Sequence, residues 1–207
     1  QLLLYLAIVA IMQLLPKQAP KKLIDPIVDF LILLGITPNM LTIGGFLGSV
    51  FAAFMIATGN FLIGGIFVLF FGALDMFDGA VARKIGKSSS YGAILDSTLD
   101  RFSEIAILGG IFIHAINEPE KSLAILCFFA LSGSLMVSYV RARGESLGIT
   151  LENGFAPRPE RIIITAIALI FNWVLYAMLI LVVITWITSM QRLIKAKTLL
   201  NSKKGDN

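Results

Sequence analysis

Long apolar runs separated by short polar breaks make up most of this chain. A membrane-spanning helix needs about 20 mostly apolar residues. Six stretches approach that requirement: residues 40–58, 61–84, 91–116, 122–145, 159–173 and 174–197. The breaks between them carry turn and polar residues: Gly59-Asn60, the Lys84–Ser90 linker, Asn117-Glu118-Pro119-Glu120, the Gly144–Pro159 loop and Asn172-Trp173. The fifth stretch is short. The runs are continuous rather than alternating, so they read as helices and not as the strands of a barrel. Residues 23–34 differ: Asp25 and Asp29 interrupt an apolar series that Gly35 closes. Preceded by Lys17, Lys21 and Lys22, this segment predicts an amphipathic helix lying at the membrane surface. The expected fold is therefore an all-α integral membrane protein, six transmembrane helices preceded by an amphipathic interfacial helix. Residues 21–200 form one membrane domain, after an N-terminal segment (1–20) and before a polar tail (201–207).

Composition agrees. Of 207 residues, 57% are hydrophobic and 14% charged, with a mean hydropathy of +0.87, too apolar for a soluble domain. Cys127 lies inside an apolar run and forms no disulfide framework. His114, the lone histidine, falls near the end of a run and reads as interfacial. The basic residues orient the six-span topology. Lys17, Lys21, Lys22, Arg83, Lys84, Lys87, Arg141, Arg143, Arg158, Arg161, Arg192, Lys195 and Lys197 fall on one side, with Lys121 on the other. The positive-inside rule makes the basic side cytoplasmic. The net charge of +4 then suits anionic lipid and phosphate. Nucleic acid is excluded as a partner, because no soluble basic domain exists to hold it.

Four aspartates break this apolar background: Asp75, Asp78, Asp96 and Asp100. A carboxylate at membrane depth costs about 2.5–3.5 kcal/mol on insertion scales. The local cations Arg83, Lys84, Lys87 and Arg101 do not account for four such groups. Asp75 and Asp78 are three apart and share one helix face; Asp96 and Asp100 are four apart and share another. Both pairs flank the Lys84–Ser90 linker, so folding the two helices together brings four carboxylates to one point. Hard oxygen ligands suit Mg²⁺, Mn²⁺ or Ca²⁺ rather than zinc. Gly79, Ala82 and Gly92 are small enough for a ligand to approach the backbone, or for helices to pack tightly. Arg83 offers a planar fork for phosphate, and Ser88, Ser89 and Ser90 offer hydroxyls. Two carboxylate-held metals over a pyrophosphate would stabilise the attacked phosphoryl group and its leaving group. A cation transporter is the competing class. It would place acids at mid-membrane with access from both sides, whereas these cluster near one face with glycines and Arg83.

The pattern Asp-x2-Asp-Gly-x2-Ala-Arg-x8-Gly-x3-Asp-x3-Asp, complete from Asp75 to Asp100, resembles the signature of the CDP-alcohol phosphotransferases, membrane enzymes of phospholipid synthesis. The resemblance covers about residues 20–200. It implies that Asp75, Asp78, Asp96 and Asp100 bind two Mg²⁺ or Mn²⁺ ions, with Asp100 also the general base. It implies that Gly79, Arg83 and Ser89 hold the CDP moiety. Thr37-Pro38-Asn39-Met40-Leu41-Thr42 resembles the family's short motif at the first span, placing Asn39 and Thr42 in the nucleotide pocket beside Ala82 and Gly92.

The signature specifies a CDP-activated donor and leaves the acceptor open. Downstream, Arg141, Arg158, Arg161 and Arg192 could form a second anion site for a phosphorylated acceptor. Their surroundings, Ser138–Gly148 and Gly154–Arg161, resemble those of bacterial phosphatidylinositol phosphate synthases and their archaeal archaetidylinositol counterparts. Departures are Arg141 where lysine is frequent, Pro157 where an acid is common, and a brief connection at Asn172. The resemblance implies transfer from CDP-diacylglycerol, or an archaeal CDP-lipid, to inositol 1-phosphate, by a homodimer in the cell membrane with a cytoplasmic active site. Glycerol 3-phosphate, also an anionic phosphate, is the alternative acceptor.

Overall fold

A computed structural model describes residues 21–86, 89–151 and 157–205. The N-terminal segment 1–20, Lys87, Ser88, Gly154 and the last two residues lie outside the described residues. The described chain is helical throughout: α1 (Lys21–Leu33), α2 (Pro38–Ala57), α3 (Phe61–Lys84), α4 (Ser90–Asn117), α5 (Ser122–Ser146), α6 (Arg158–Ile170) and α7 (Val174–Gly205). The last six stand where the apolar runs predict them. The final helix continues through the boundary expected at residue 200.

Helix ends follow local chemistry. Thr37 caps α2 by accepting from the Met40 amide at 3.4 Å, with Pro38 in the first turn, where its missing N–H costs nothing. Ser89 caps α4 by accepting from the Gly92 amide at 3.0 Å. Between α6 and α7 the chain turns within three residues. Asn172 takes φ +56°, and the Trp173 amide closes back on the Ala168 carbonyl at 2.7 Å.

Among the described residues, four helices are long and apolar enough to cross a membrane: Pro38–Ala57, Phe61–Lys84, Ser122–Ser146 and Val174–Asn201. The chain is thus an all-helical membrane protein. The two other predicted spans miss that standard for identifiable reasons. α4 carries Asp96, Asp100, Arg101 and Glu104 between its start and its midpoint region. α6 has 13 residues, about 20 Å at 1.5 Å per residue, against a hydrocarbon core of about 30 Å.

Packing organises two groups around the site. α2 packs against both α3 and α4, while α5 pairs with α7, and α6 leans on α3 and α7. Close approach depends on missing side chains. A Cβ on Gly110 of α4 would lie 2.5 Å from the Ala53 carbonyl oxygen of α2, and one on Gly65 of α3 would lie 2.9 Å from that of Ala166 in α6. The main core joins Ala52, Ile56, Ile107, Ile111, Cys127, Leu169, Met178 and Leu181, so Cys127 is a packing residue. α1 seats Val28 against Leu41 and Val81, and Asp29 pairs with Lys84 at 2.7 Å. Its Ile27, Phe30 and Leu33 stay exposed.

One expectation needs correcting. The two aspartate-bearing helices do not come together by packing on each other. α3 and α4 each pack on α2, and their aspartates approach one another beside it. The carboxylates meet across the gap between α3 and α4.

Candidate active site

The gap is lined by acid. Asp75, Asp78 and Asp96 bring ligand oxygens within 4.8 Å of one another. Asp78 is buried and held on both oxygens. Thr42 donates its hydroxyl to Oδ2 at 2.8 Å, and the Gly79 amide donates to Oδ1. Thr42 reaches it because α2 lies between α3 and α4. Three carboxylates converging without His or Cys fit a hard divalent cation such as Mg²⁺ or Mn²⁺.

Asp100, the fourth expected ligand, is outside this trio but beside Asp75, through a shared arginine. Its Oδ1 lies 2.6 Å from Arg158 Nη1, and the same Nη1 donates to Asp75 Oδ2 at 2.5 Å. Arg158 therefore ties the metal-type cluster to Asp100. Asp100 Oδ1 and Arg158 Nε are buried without a well-aligned hydrogen bond. Both groups thus keep unused hydrogen-bonding capacity beside the cluster.

Next to the acids opens a cleft of about 210 Å³, lined by Pro38, Asn39, Thr42, Asp78, Gly79, Ala82, Arg83, Ser89, Gly92, Ala93 and Asp96. All seven residues that the sequence assigns to the CDP moiety are among them. Arg83 is exposed at its edge. Ser88 lies outside the described residues.

The four arginines are less uniform. Arg141 is exposed and pairs with Glu145 at 2.9 Å, one turn along α5. Arg192 is buried on α7; it donates Nη1 to the Val137 carbonyl at 2.7 Å, and its Nε has no hydrogen-bond partner among the described residues. Arg161 is 2% exposed and locked to Glu104, Nε to Oε1 at 2.8 Å and Nη2 to Oε2 at 3.1 Å. Ser134 adds its hydroxyl to Oε1 at 2.9 Å. The expectation of four guanidiniums open to one anion does not describe this conformation, because Arg161 spends its fork on a buried carboxylate.

Glu104 was not singled out from the sequence. A signal was present: Asp96-x3-Asp100-x3-Glu104 continues the four-residue period that marks one helix face. Ser134, thirty residues on, carried none.

The sequence model for CDP-alcohol phosphatidyltransferases matches residues 35–191. The chain belongs to that family. Among its relatives, the archaetidylinositol phosphate synthase of Pyrococcus horikoshii is 44% identical over 165 residues, 79% of this chain and 85% of the relative. Two crystal structures of Mycobacterium tuberculosis phosphatidylinositol phosphate synthase (PgsA1) resemble it in fold. One, with CDP-DAG bound, superposes with a TM-score of 0.78 at 33% identity, covering 84% of this chain and 94% of that one. The other, with manganese and citrate, gives 0.78 at 35% identity, covering 84% and 89%. As a phosphatidyltransferase, the chain joins a metal-type acid cluster to a cleft beside it, and Arg158 links the cluster to Asp100.

Proposed function

We propose that this enzyme transfers the phosphatidyl group of CDP-diacylglycerol to inositol 1-phosphate, releasing CMP and forming phosphatidylinositol phosphate. The observation that carries this reading is Arg158. Its guanidinium lies within 2.6 Å of both Asp75 and Asp100, which puts a phosphate-binding group at the reacting carboxylates. A free alcohol such as serine would not need it. The kinship with archaetidylinositol and phosphatidylinositol phosphate synthases supports the same choice.

In this reading Asn39, Thr42, Gly79, Ala82, Arg83, Ser89 and Gly92 hold the CDP head, while the lipid tails stay in the bilayer. Asp75, Asp78 and Asp96, completed by Asp100, would hold two Mg²⁺ or Mn²⁺ ions. These ions, when bound, neutralise charge on the pyrophosphate. Arg141, Arg158 and Arg192 receive the acceptor phosphate, with Arg161 behind Arg158. Asp100 takes the proton from the acceptor hydroxyl. The acceptor oxygen forms the new bond to the β-phosphorus, the bond from that phosphorus to the CMP oxygen breaks, and Arg83 stabilises the departing phosphate.

The same reading places α2 to α7 across the cell membrane, α4 and the short α6 included, as one domain over residues 21–200. α1 lies in the interface, with Ile27, Phe30 and Leu33 toward lipid. The basic side, and with it the site, faces the cytoplasm, and the chain works as a homodimer. The test is CMP release in detergent with Mg²⁺ or Mn²⁺, comparing inositol 1-phosphate, glycerol 3-phosphate, free inositol and serine. A parallel arm supplies an archaeal ether CDP-lipid. Inositol 1-phosphate is expected to give the highest kcat/KM; free inositol or serine doing better would remove the arginine assignment.

A further inference from the structure

α1 lies behind the cleft that opens beside the acids. On α3, Phe77, Ala80, Val81 and Lys84 follow the three- and four-residue steps of one helix face and meet α1 or its core. Asp78, Gly79, Ala82 and Arg83 line the cleft from the other face. α2 divides in the same way: Leu41 packs on Val28 of α1, and its neighbour Thr42 lines the cleft. Val28 is 1% exposed and joins Leu41 to Val81. Ile85, the first residue after α3, packs against the same trio. One helix therefore holds the start of α2, the end of α3 and the entry to the linker that leads to Ser89.

The connection gives this hold a direction. Gly35 takes φ +72°, its amide donates to the Ile32 carbonyl at 2.9 Å, and the Ile36 amide donates to the Leu31 carbonyl at 3.1 Å. This closing turn satisfies the last carbonyls of α1 and sets its angle to α2. Asp29 reaches Lys84, the neighbour of Arg83, at 2.7 Å. The two side chains are 63% and 39% exposed, and exposed pairs contribute little. The apolar contact at Val28 thus carries most of the hold.

We propose that Val28, assisted by Asp29, is a positioning residue for the donor, given the reading above in which the cleft holds the CDP head. It keeps the α2 and α3 walls of the cleft at the spacing that the CDP head needs. The Thr42–Asp78 hydrogen bond crosses between the same two walls, so the spacing also serves the cation cluster.

The deciding variant is Val28→Ala, which leaves a cavity and no unpaired charge. Its KM for CDP-diacylglycerol, measured in detergent micelles with Mn²⁺, should rise about fivefold, as for about 1 kcal/mol of lost packing. Its kcat should stay within about twofold, because binding lost equally from ground and transition states acts on KM. Val174→Ala removes the same methyl groups from a similarly buried place in the main core, where α7 begins. It should lower the unfolding temperature about as much and leave that KM unchanged. An equal rise in KM for both variants would make Val28 a packing residue only and overturn the proposal. So would an unchanged KM in Val28→Ala beside a raised one in Arg83→Gln.

Mn²⁺ titration without lipid separates this role from the donor assignment. Asp78 belongs to the acid cluster and is held by Thr42, so Val28→Ala should weaken Mn²⁺ about as much as it raises the donor KM. Weaker Mn²⁺ with a flat donor KM in both Val28→Ala and Arg83→Gln would sink the donor reading and keep the spacing role. Unchanged Mn²⁺ affinity in Val28→Ala would overturn the spacing role, whatever Arg83→Gln does.

Discussion

The half of the site proposed for the donor, around Arg83, and the half proposed for the acceptor, around Arg158, are built by different means. The donor half comes from neighbouring stretches of chain. Asp75 to Arg83 lie on the end of α3, Ser89 to Asp96 on the start of α4, and Asn39 and Thr42 on the start of α2. Helical period and one short linker bring them around one cleft. The acceptor half is assembled across the tertiary structure. Arg141, Arg158 and Arg192 come from α5, α6 and α7, and each already has a protein partner: Glu145, Asp75 with Asp100, and the Val137 carbonyl. Local order makes a cleft that is ready for a ligand. Long-range order makes one whose charges must be shared with, or released from, the protein.

Asp100 stands where the halves join, so its loss should be the most damaging. Asp100→Asn keeps the shape and removes the base, and turnover is expected to fall by about 10³-fold, within the usual contribution of a general base. Mn²⁺ and CDP-lipid binding, read by titration calorimetry, should largely survive, because Asp75, Asp78 and Asp96 remain. Turnover close to wild type would remove Asp100 as the base and leave the two halves without a common catalyst.

Arg158→Gln tests whether the acceptor half acts on its own. A charge-assisted hydrogen bond contributes about 1.5–3 kcal/mol, so the KM for inositol 1-phosphate should rise roughly ten- to a hundredfold. The KM for CDP-diacylglycerol should stay within about twofold, since Arg158 is not among the residues that line the cleft. An equal rise in both constants would mean that the halves are one pocket. Thr42→Val probes the donor side in the same spirit. It deletes the bond to Asp78 Oδ2 while keeping volume. Loss of such a supporting hydrogen bond should weaken Mn²⁺ by about tenfold and leave the acceptor KM alone.

The same contrast explains which parts of the molecule are legible in its sequence. Asp75, Asp78, Gly79, Arg83, Gly92 and Asp96 declare themselves through spacing, because three- and four-residue steps define a helix face whatever the rest of the chain does. The helix runs were legible for the same reason, down to Phe61–Lys84. What spacing cannot express is which helix separates two others. The insertion of α2 between α3 and α4 depends on bare backbones such as Gly110 meeting Ala53. The fate of the arginines was hidden similarly. Arg158 and Arg161 look alike in sequence, and only their partners, Asp100 for one and Glu104 with Ser134 for the other, distinguish a half-buried arginine from a fully buried one.

The smallest effect expected is also the most discriminating about how the cleft works. Gly92 lies in the first turn of α4, where its amide is capped by Ser89. A Cβ there would sit 3.0 Å from Ser89 Oγ and 3.7 Å from Asn39 Oδ1. Two forces then oppose each other. Alanine stabilises a helix relative to glycine by up to about 1 kcal/mol, while displacing the capping hydroxyl costs about 1 kcal/mol. Thermal stability should therefore barely move. The KM for CDP-diacylglycerol should still rise, by roughly fivefold if about 1 kcal/mol of cap and cleft geometry is lost. Gly109→Ala is the control, since a Cβ there meets nothing within 4 Å and should leave that KM unchanged. If Gly92→Ala raises stability and leaves the KM untouched, Gly92 is a packing residue only. The close approach of a ligand to α4 would then have to be sought at Gly79, where a Cβ would meet Arg83 Nη1 at 3.2 Å.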